Sequence, residues 1–293
     1  NNKKHIVSLK KEDVAAIVLW SKNFTPFADS TLLLKDKGYS LFFNYTITGL
    51  PKIFEPEAPS ESESIETIKY LSSRFSPDHI NWRYDPVLVS DITGNDYHTE
   101  KFETLCRSLS GFVKRCYISF PTAYCKVERS FKNFSGTTGI SLHFPEVQER
   151  IELAGKLSVI AENYGLKIYS CCGDYLTTGR IEKGRCIDGD ILSSISRQDL
   201  SGFKIRPTRK ECGCTESTDI GVYDSCPHGC IYCYANSNAM KASSFYKKYI
   251  SGAEYTGSAF LGVPKNVSDA WVREIEEKPQ SPADNDPEQP LLF

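Results

Sequence analysis

The chain has 293 residues, 40% of them hydrophobic, and a formal net charge of −2. That supplies core enough for one large α/β domain or two ordinary ones, and the charge excludes a global nucleic-acid footprint while leaving a local basic patch open. No apolar run approaches the roughly 20 residues of a membrane span, and no secretory apolar core opens the chain, which reads as soluble and cytoplasmic. The first residue is Asn1 and the one methionine is Met240, so we expect a further segment ahead of Asn1.

In chain order, apolar β-rich runs at residues 14–20 and 39–47 predict strands, and residues 61–74 predict a helix. A strand at 79–84, a helix at 100–109 and a strand at 115–120 follow. Residues 145–164 then form the clearest helix, with Val147, Ile151, Leu153, Ala154, Leu157, Ile160 and Ala161 on a broad apolar stripe. A fifth strand is expected at 166–172 and a sixth at 219–223. Strands separated by helices of this length predict a parallel sheet, open or closed. The expected fold is α/β, a complete or partial TIM-like barrel over residues 1–200. A cysteine-rich region, 201–265, packs on it, and a Pro- and acid-rich flexible tail covers 266–293.

Four of the strands run into polar, aromatic strings at residues 18–23, 44–49, 81–86 and 119–124. In parallel barrels the C-terminal strand ends form the active face, so Lys22, Tyr45, Thr46, Arg83, Asp85 and Tyr124 are expected to converge on one pocket. Taken singly, Arg83 and Asp85 also read as a local ion pair and the aromatics as caps on the core. The connector at 201–214 carries Lys204, Arg206, Arg209 and Lys210, which read first as a solvated loop and second as a phosphate contact.

Eleven cysteines, an odd number in a chain this long, argue against a disulfide framework. Eight of them crowd into one stretch: Cys171, Cys172, Cys186, Cys212, Cys214, Cys226, Cys230 and Cys233. The central string is Asp224-Ser-Cys226-Pro-His-Gly-Cys230-Ile-Tyr-Cys233-Tyr-Ala-Asn236. Three thiolates can wrap one cubane from a single loop and leave its fourth iron without a protein ligand, since full cysteine ligation takes four. Gly229 permits a tight turn between ligands, and a helix starting within 236–249 would turn its N-terminus to an anionic cluster. The competing reading is zinc, with His228 as a fourth ligand. Cys212 and Cys214, with Cys171 or Cys172 and Cys186, predict a second metal site, an auxiliary cluster, against the alternative of buried inert thiols. Cys106, Cys116 and Cys125 read as core.

The spacing of Cys226, Cys230 and Cys233, with Tyr232 before the third, resembles the radical S-adenosylmethionine superfamily. The string from Cys226 to Ala235 is especially similar to spore photoproduct lyase-type proteins. Over nearly the whole chain, the strings at 18–23, 45–49, 82–86, 186–188 and 212–236 resemble a bacterial family of unknown function with this motif near its C-terminus. The resemblance implies a [4Fe–4S] cluster on the three cysteines, S-adenosylmethionine on the open iron and Tyr232 beside its adenine. It also implies a 5′-deoxyadenosyl radical and an electron donor such as flavodoxin or ferredoxin. Lys22 and Arg83 would hold an anionic substrate group, and Tyr45 or Tyr124 would stack on a base or relay hydrogen. One departure stands out: the loop follows nearly all the strands rather than the first, so other S-adenosylmethionine-binding positions do not carry over.

Two readings of other classes remain, a non-radical iron–sulfur or zinc protein and a DNA-associated interaction protein. The latter draws on the last five residues, Gln289, Pro290, Leu291, Leu292 and Phe293, which resemble peptides that dock on the bacterial DNA sliding clamp. That resemblance favours a nucleic-acid substrate and a repair or modification role.

Overall fold

A computed structural model describes residues 7–251. The elements run β1 (Ile17–Ser21), α1 (Ala28–Asp36), β2 (Leu41–Thr46), α2 (Glu61–Arg74), β3 (Ile80–Tyr84), β4 (Val89–Ser90), α3 (Asn95–Leu109), β5 (Arg115–Ile118), α4 (Cys125–Thr138), β6 (Leu142–His143), α5 (Val147–Asn163), β7 (Lys167–Ser170), β8 (Ile181–Lys183), α6 (Gly189–Ser196) and α7 (Ala239–Ser251). Six strands form one parallel sheet in the order β1-β2-β3-β5-β7-β8, and β4 pairs with β6 apart from it. The fold is therefore α/β with a mainly parallel sheet. Among the described residues no pairing joins β8 back to β1, so the sheet is open.

The strand order never reverses. Right-handed crossovers then carry α2, α3 and α5 to the same side. Alternate strand residues meet those helices: Leu41, Phe43 and Tyr45 of β2 and Ile80, Trp82 and Tyr84 of β3 join Ile68 and Leu71 of α2, Phe102 and Leu105 of α3, and Leu153 and Leu157 of α5 in the main core. A parallel sheet needs cover on both faces, and the chain after β8 supplies it. Phe42 packs with Leu192 and Leu200, flanked by Ile187 and Ile191. Beside it the same face is polar but paired. Asn81 Nδ2 donates to Asn44 Oδ1 at 3.2 Å, Arg115 Nε donates to Asn81 Oδ1 at 2.7 Å, and Asn44 Nδ2 donates to the Cys186 carbonyl at 3.1 Å. These bonds remove the desolvation cost of burying three polar side chains.

Local signals account for the helix ends. Ser60 and Glu63 form a capping box at the start of α2, and Gly139, with φ of 75°, stops α4 in the left-handed region. The expected strands are slightly shorter than their apolar runs, because loop residues such as Ile47 and Phe120 are buried without joining the ladder. Residues 219–223 are not a strand; Ile220, Val222 and Tyr223 are exposed, and the sixth strand is β8. Cys106 and Cys116 are core, whereas Cys125 is exposed in the first turn of α4. Among the described residues no helix is long and apolar enough to cross a membrane. The whole of the expected tail, 266–293, with Gln289 to Phe293, lies outside the described residues, as do residues 252–265 of the cysteine-rich region.

One buried histidine makes this core pH-sensitive. His98 Nδ1 lies 2.7 Å from the Tyr84 hydroxyl and Nε2 lies 2.9 Å from the Leu88 carbonyl, an arrangement that suits the neutral ring. Burial lowers its pKa to about 4. The unfolded chain takes up this proton below about 6.5, so the contribution is whole above that pH and is lost as pH falls towards 4. Urea unfolding at pH 7 and pH 4.5 is expected to show a loss on the order of 3 kcal/mol in the native chain beyond that in His98→Gln. Equal losses in the two would contradict this assignment.

Candidate functional site

The cysteine loop is seated between the turn after β2 and the outer face of α4. The Phe54 carbonyl accepts from the Ile231 amide at 3.1 Å, and the Glu57 amide donates to the His228 carbonyl at 3.1 Å. Between them Pro56 closes on Gly229, whose φ of 70° strains any residue with a Cβ; a Cβ there would meet Pro56 at 3.7 Å. From α4, Ser130 Oγ donates to the Ile231 carbonyl at 2.6 Å and Lys126 Nζ to the Tyr234 carbonyl at 2.9 Å. Ile231 and Tyr232 pack on Phe54, Leu88, Val127 and Phe131. The loop is also closed on itself: the Asp224 amide donates to the Ala235 carbonyl at 3.2 Å, and Asn236 Nδ2 to the Cys226 carbonyl at 2.7 Å.

Glu55 is the electrostatic centre of this seat. Its carboxylate, 6% exposed, accepts from Lys22 Nζ at 2.9 Å, from Thr48 Oγ1 at 2.7 Å and from the Tyr232 hydroxyl. Lys22 Nζ also stands 5.8 Å from the centre of the Tyr232 ring. Burial, with Glu55 beside it, raises the Tyr232 phenol well above its ordinary pKa, so it stays a donor. Cys226, Cys230 and Cys233 are all half-buried. Burial pushes the Cys226 thiol up and the Cys230 thiol up to about 12, while Lys22 pulls both the other way. Cys226 Sγ lies 3.3 Å from His228 Nδ1, and burial lowers the His228 pKa.

A second sulfur group lies under the chain that covers the sheet. Cys171 and Cys172 follow β7, Cys186 lies between β8 and α6, and Cys212 and Cys214 come back after α6. Cys171 Sγ is 3.1 Å from Cys186 Sγ and 3.9 Å from Cys172 Sγ; the Cys214 thiol is in hydrogen-bonding contact with both Cys171 and Cys186, and all are free thiols. Arg83 Nη1 donates to Cys186 Sγ at 3.0 Å, with its other arm on Asp85. Burial opposes the Arg83 charge, but Cys186 and Asp85 outweigh it and hold the pKa well above the usual value. Burial would raise Cys212, yet bonds from Thr208 and Cys214 hold it down at about 7. Among the described residues no three His, Cys, Asp or Glu side chains already stand as a metal-binding group.

The structure divides the expected pocket. Lys22 belongs to the cysteine loop, whereas Arg83 and Asp85 belong to the second sulfur group. Tyr124 stands at the rim, its ring 6.3 Å from that of Tyr234 and its side chain bonded to Arg209. Tyr45 joins neither. It points to the helix face of β2, buried in the main core with its ring 4.9 Å from Phe24. A cavity of about 240 Å³ opens at the ends of β5 and β7, lined by Ser119, Thr122, Arg150, Cys172 and Tyr175 among others. Sequence reasoning missed Glu55; its one signal was an acid between Phe54 and Pro56 in the turn after a strand.

A family model described as "Domain of unknown function (DUF1848)" matches residues 1–235. No curated protein matches the chain. Among solved structures, the D-hydantoinase from a Bacillus sp. AR9 is similar at 12% identity and a TM-score of 0.28, over 55% of this chain and 35% of that one.

The Glu55 pair is testable without any cofactor. Lys22 and Glu55 are 13% and 8% exposed at their side chains, and removing one partner of such a pair typically costs about 3–5 kcal/mol. Glu55→Ala is expected to fall in that range by urea unfolding, and Lys22→Met added to it to recover part of the loss. Strict additivity of the two changes would show that the pair is not coupled.

Proposed function

The chain belongs to the family described as a domain of unknown function, DUF1848, whose model matches residues 1–235, and within it we propose a radical S-adenosylmethionine-type iron–sulfur enzyme. The observation that carries the reading is the seat of the loop. Three thiols come from one loop whose backbone is bonded to the turn after β2 on one side and to α4 on the other. Cys226 lies in the field of Cys233, and Cys230 in that of Cys226, with Lys22 opposing both. These residues fit a cluster: soft thiolate donors and a nearby cation, Lys22, to offset their charge.

Cys226, Cys230 and Cys233 would hold the [4Fe–4S] cluster, whose chemistry is one-electron reductive cleavage of S-adenosylmethionine, with flavodoxin or ferredoxin as electron donor. The chain's own residues do the rest. Glu55 fixes the Tyr232 ring by its hydroxyl, which sets the wall that the resemblance assigns to the adenine. Lys22, paired with Glu55, offsets the thiolate charge rather than waiting for substrate. Arg83, paired with Asp85 beside Cys186, does the same for the second sulfur group. Tyr124 at the rim keeps the role of contacting substrate, and the half-burial of the loop limits water near the reacting centre. We read the open sheet as a sector of a barrel, with the division at residues 200 and 265, and the protein as cytoplasmic. Docking of Gln289 to Phe293 on a sliding clamp, and with it a nucleic-acid substrate, remains part of the proposal.

The 3.3 Å approach of Cys226 Sγ to His228 Nδ1 favours a second reading, zinc held by Cys226, His228, Cys230 and Cys233. Anaerobic reconstitution separates the two. The proposal expects bound iron and sulfide, visible absorbance, and 5′-deoxyadenosine from S-adenosylmethionine under reductant. Alanine at any one of the three cysteines is expected to abolish all of these. Stoichiometric zinc without iron after anaerobic preparation would overturn it.

A further inference from the structure

The chain that covers the polar face of the sheet is held by polar bonds, such as the Thr215 amide to the Ile187 carbonyl at 3.0 Å and the Asp174 amide to the Glu211 carboxylate at 3.1 Å, but has little apolar packing after Leu200. After Leu200, residues 201–211 are exposed without exception. Phe203 and Ile205, the largest apolar side chains in that stretch, are 45% and 52% exposed. The chain turns inward again at Cys212 and Cys214, which are 8% and 7% exposed, and there it meets Cys171 and Cys186 rather than an apolar cluster. A crossing held by sulfur instead of hydrocarbon needs its own source of stability.

Four features of the sulfur group bear on what that source is. The contacts join three separate segments: the end of β7, the turn between β8 and α6, and the returning chain. Hydrogen-bond donors point at three of the sulfurs: Arg83 Nη1 at Cys186 (3.0 Å), the Ile187 amide at Cys214 (3.5 Å) and Thr208 Oγ1 at Cys212 (3.6 Å). Such donors suit thiolates that carry charge, and outer bonds of this kind orient metal-bound sulfur. Two adjacent thiolates repel unless a cation stands among them. The fourth feature is size. Thiolates around one tetrahedral zinc lie about 3.8 Å apart, given bonds of about 2.3 Å, and Cys171 and Cys186 stand at 3.1 Å. A single ion asks for a parting of well under 1 Å, within reach of side-chain rotation; a cubane, with each thiolate on its own iron, asks for far more.

We propose that Cys171, Cys186, Cys212 and Cys214 bind one thiophilic divalent ion, zinc by its preference for four thiolates, in a structural site separate from the three-cysteine loop. The ion ties the returning chain to the sheet, as structural zinc does where apolar packing is thin. Arg83 offsets the excess negative charge of four thiolates around a divalent ion. Cys172 is not a ligand. Its Sγ lies 3.9 Å from Cys171 Sγ, but it also lines the cavity with Ser119 and Arg150, whereas Cys214 contacts both Cys171 and Cys186. The expected auxiliary cluster is thereby replaced with a single ion.

The site is read in the full-length chain with Cys226, Cys230 and Cys233 all changed to alanine, which removes the loop's ligands and leaves the iron–sulfur reading out of the measurement. This variant is expected to keep one zinc per chain. Exchange of that zinc for cobalt is expected to give the ligand-field and sulfur charge-transfer bands of tetrahedral thiolate coordination. Adding Cys172→Ser should leave both unchanged, and adding Cys186→Ser should lose the ion. Trypsin should cut after Lys204, Arg209 or Lys210 at least tenfold faster after chelation than before. No zinc or cobalt uptake, iron with labile sulfide in the same variant, or a Cys171–Cys186 disulfide by thiol counting would each overturn the proposal. Should Cys186→Ser not fold, the cobalt spectrum with all four ligands present still decides it.

Discussion

Lys22, Thr48 and Tyr232 meet on one carboxylate, that of Glu55, and the order of the site depends on this convergence. Lys22 comes from the end of β1, Thr48 from the end of β2 and Tyr232 from a loop 177 residues further along the chain than Glu55. A buried carboxylate with a single partner would be costly. With a lysine, a hydroxyl and a phenol it is satisfied, and each donor is fixed in turn. The carboxylate thus sets where the cysteine loop sits against the sheet. Phe54, Pro56 and Glu57 on either side of it add backbone and packing contacts at Ile231, Gly229 and His228.

The sheet explains why the loop lies where it does. Strands in uninterrupted order place α2, α3 and α5 on one side, so that the other side and the C-terminal edge are left to the chain after β8. The covering chain brings the sulfur. It meets the sheet at Cys186 on Asn44 and Arg83 and then at Leu192 and Leu200 on Phe42, returns to the sulfur group at Cys212 and Cys214, and ends at the loop of Cys226 to Cys233 on Glu55. Two sulfur groups result, each with one basic side chain from a strand end and one carboxylate behind it: Lys22 with Glu55, and Arg83 with Asp85.

Much of this frame was legible in the sequence. The bounds of α2 were read correctly because a capping box and an apolar stripe agree there. β2 and β3 stood out as buried runs, but Tyr45 was misplaced because it was put in one pocket with its neighbour Thr46, although successive residues of a strand point to opposite faces. β8 escaped notice because only Ile181 of its three residues is buried. The false strand at 219–223 had the right composition, but Ile220 and Val222 have nothing to pack on and remain exposed. The cysteine spacing was readable because Cys226, Cys230 and Cys233 lie on one short loop and are local in sequence. Glu55 was not, because its partnership with Tyr232 exists only once β1, β2 and the loop are assembled.

The central claim is that the loop holds a cluster with an iron left open for S-adenosylmethionine. Electron paramagnetic resonance of the anaerobically reconstituted, reduced protein tests it most directly, recorded with and without S-adenosylmethionine. The account predicts a [4Fe–4S]⁺ signal whose g-values shift when S-adenosylmethionine is added. A cluster signal that S-adenosylmethionine leaves unchanged, or no cluster signal at all, would contradict it.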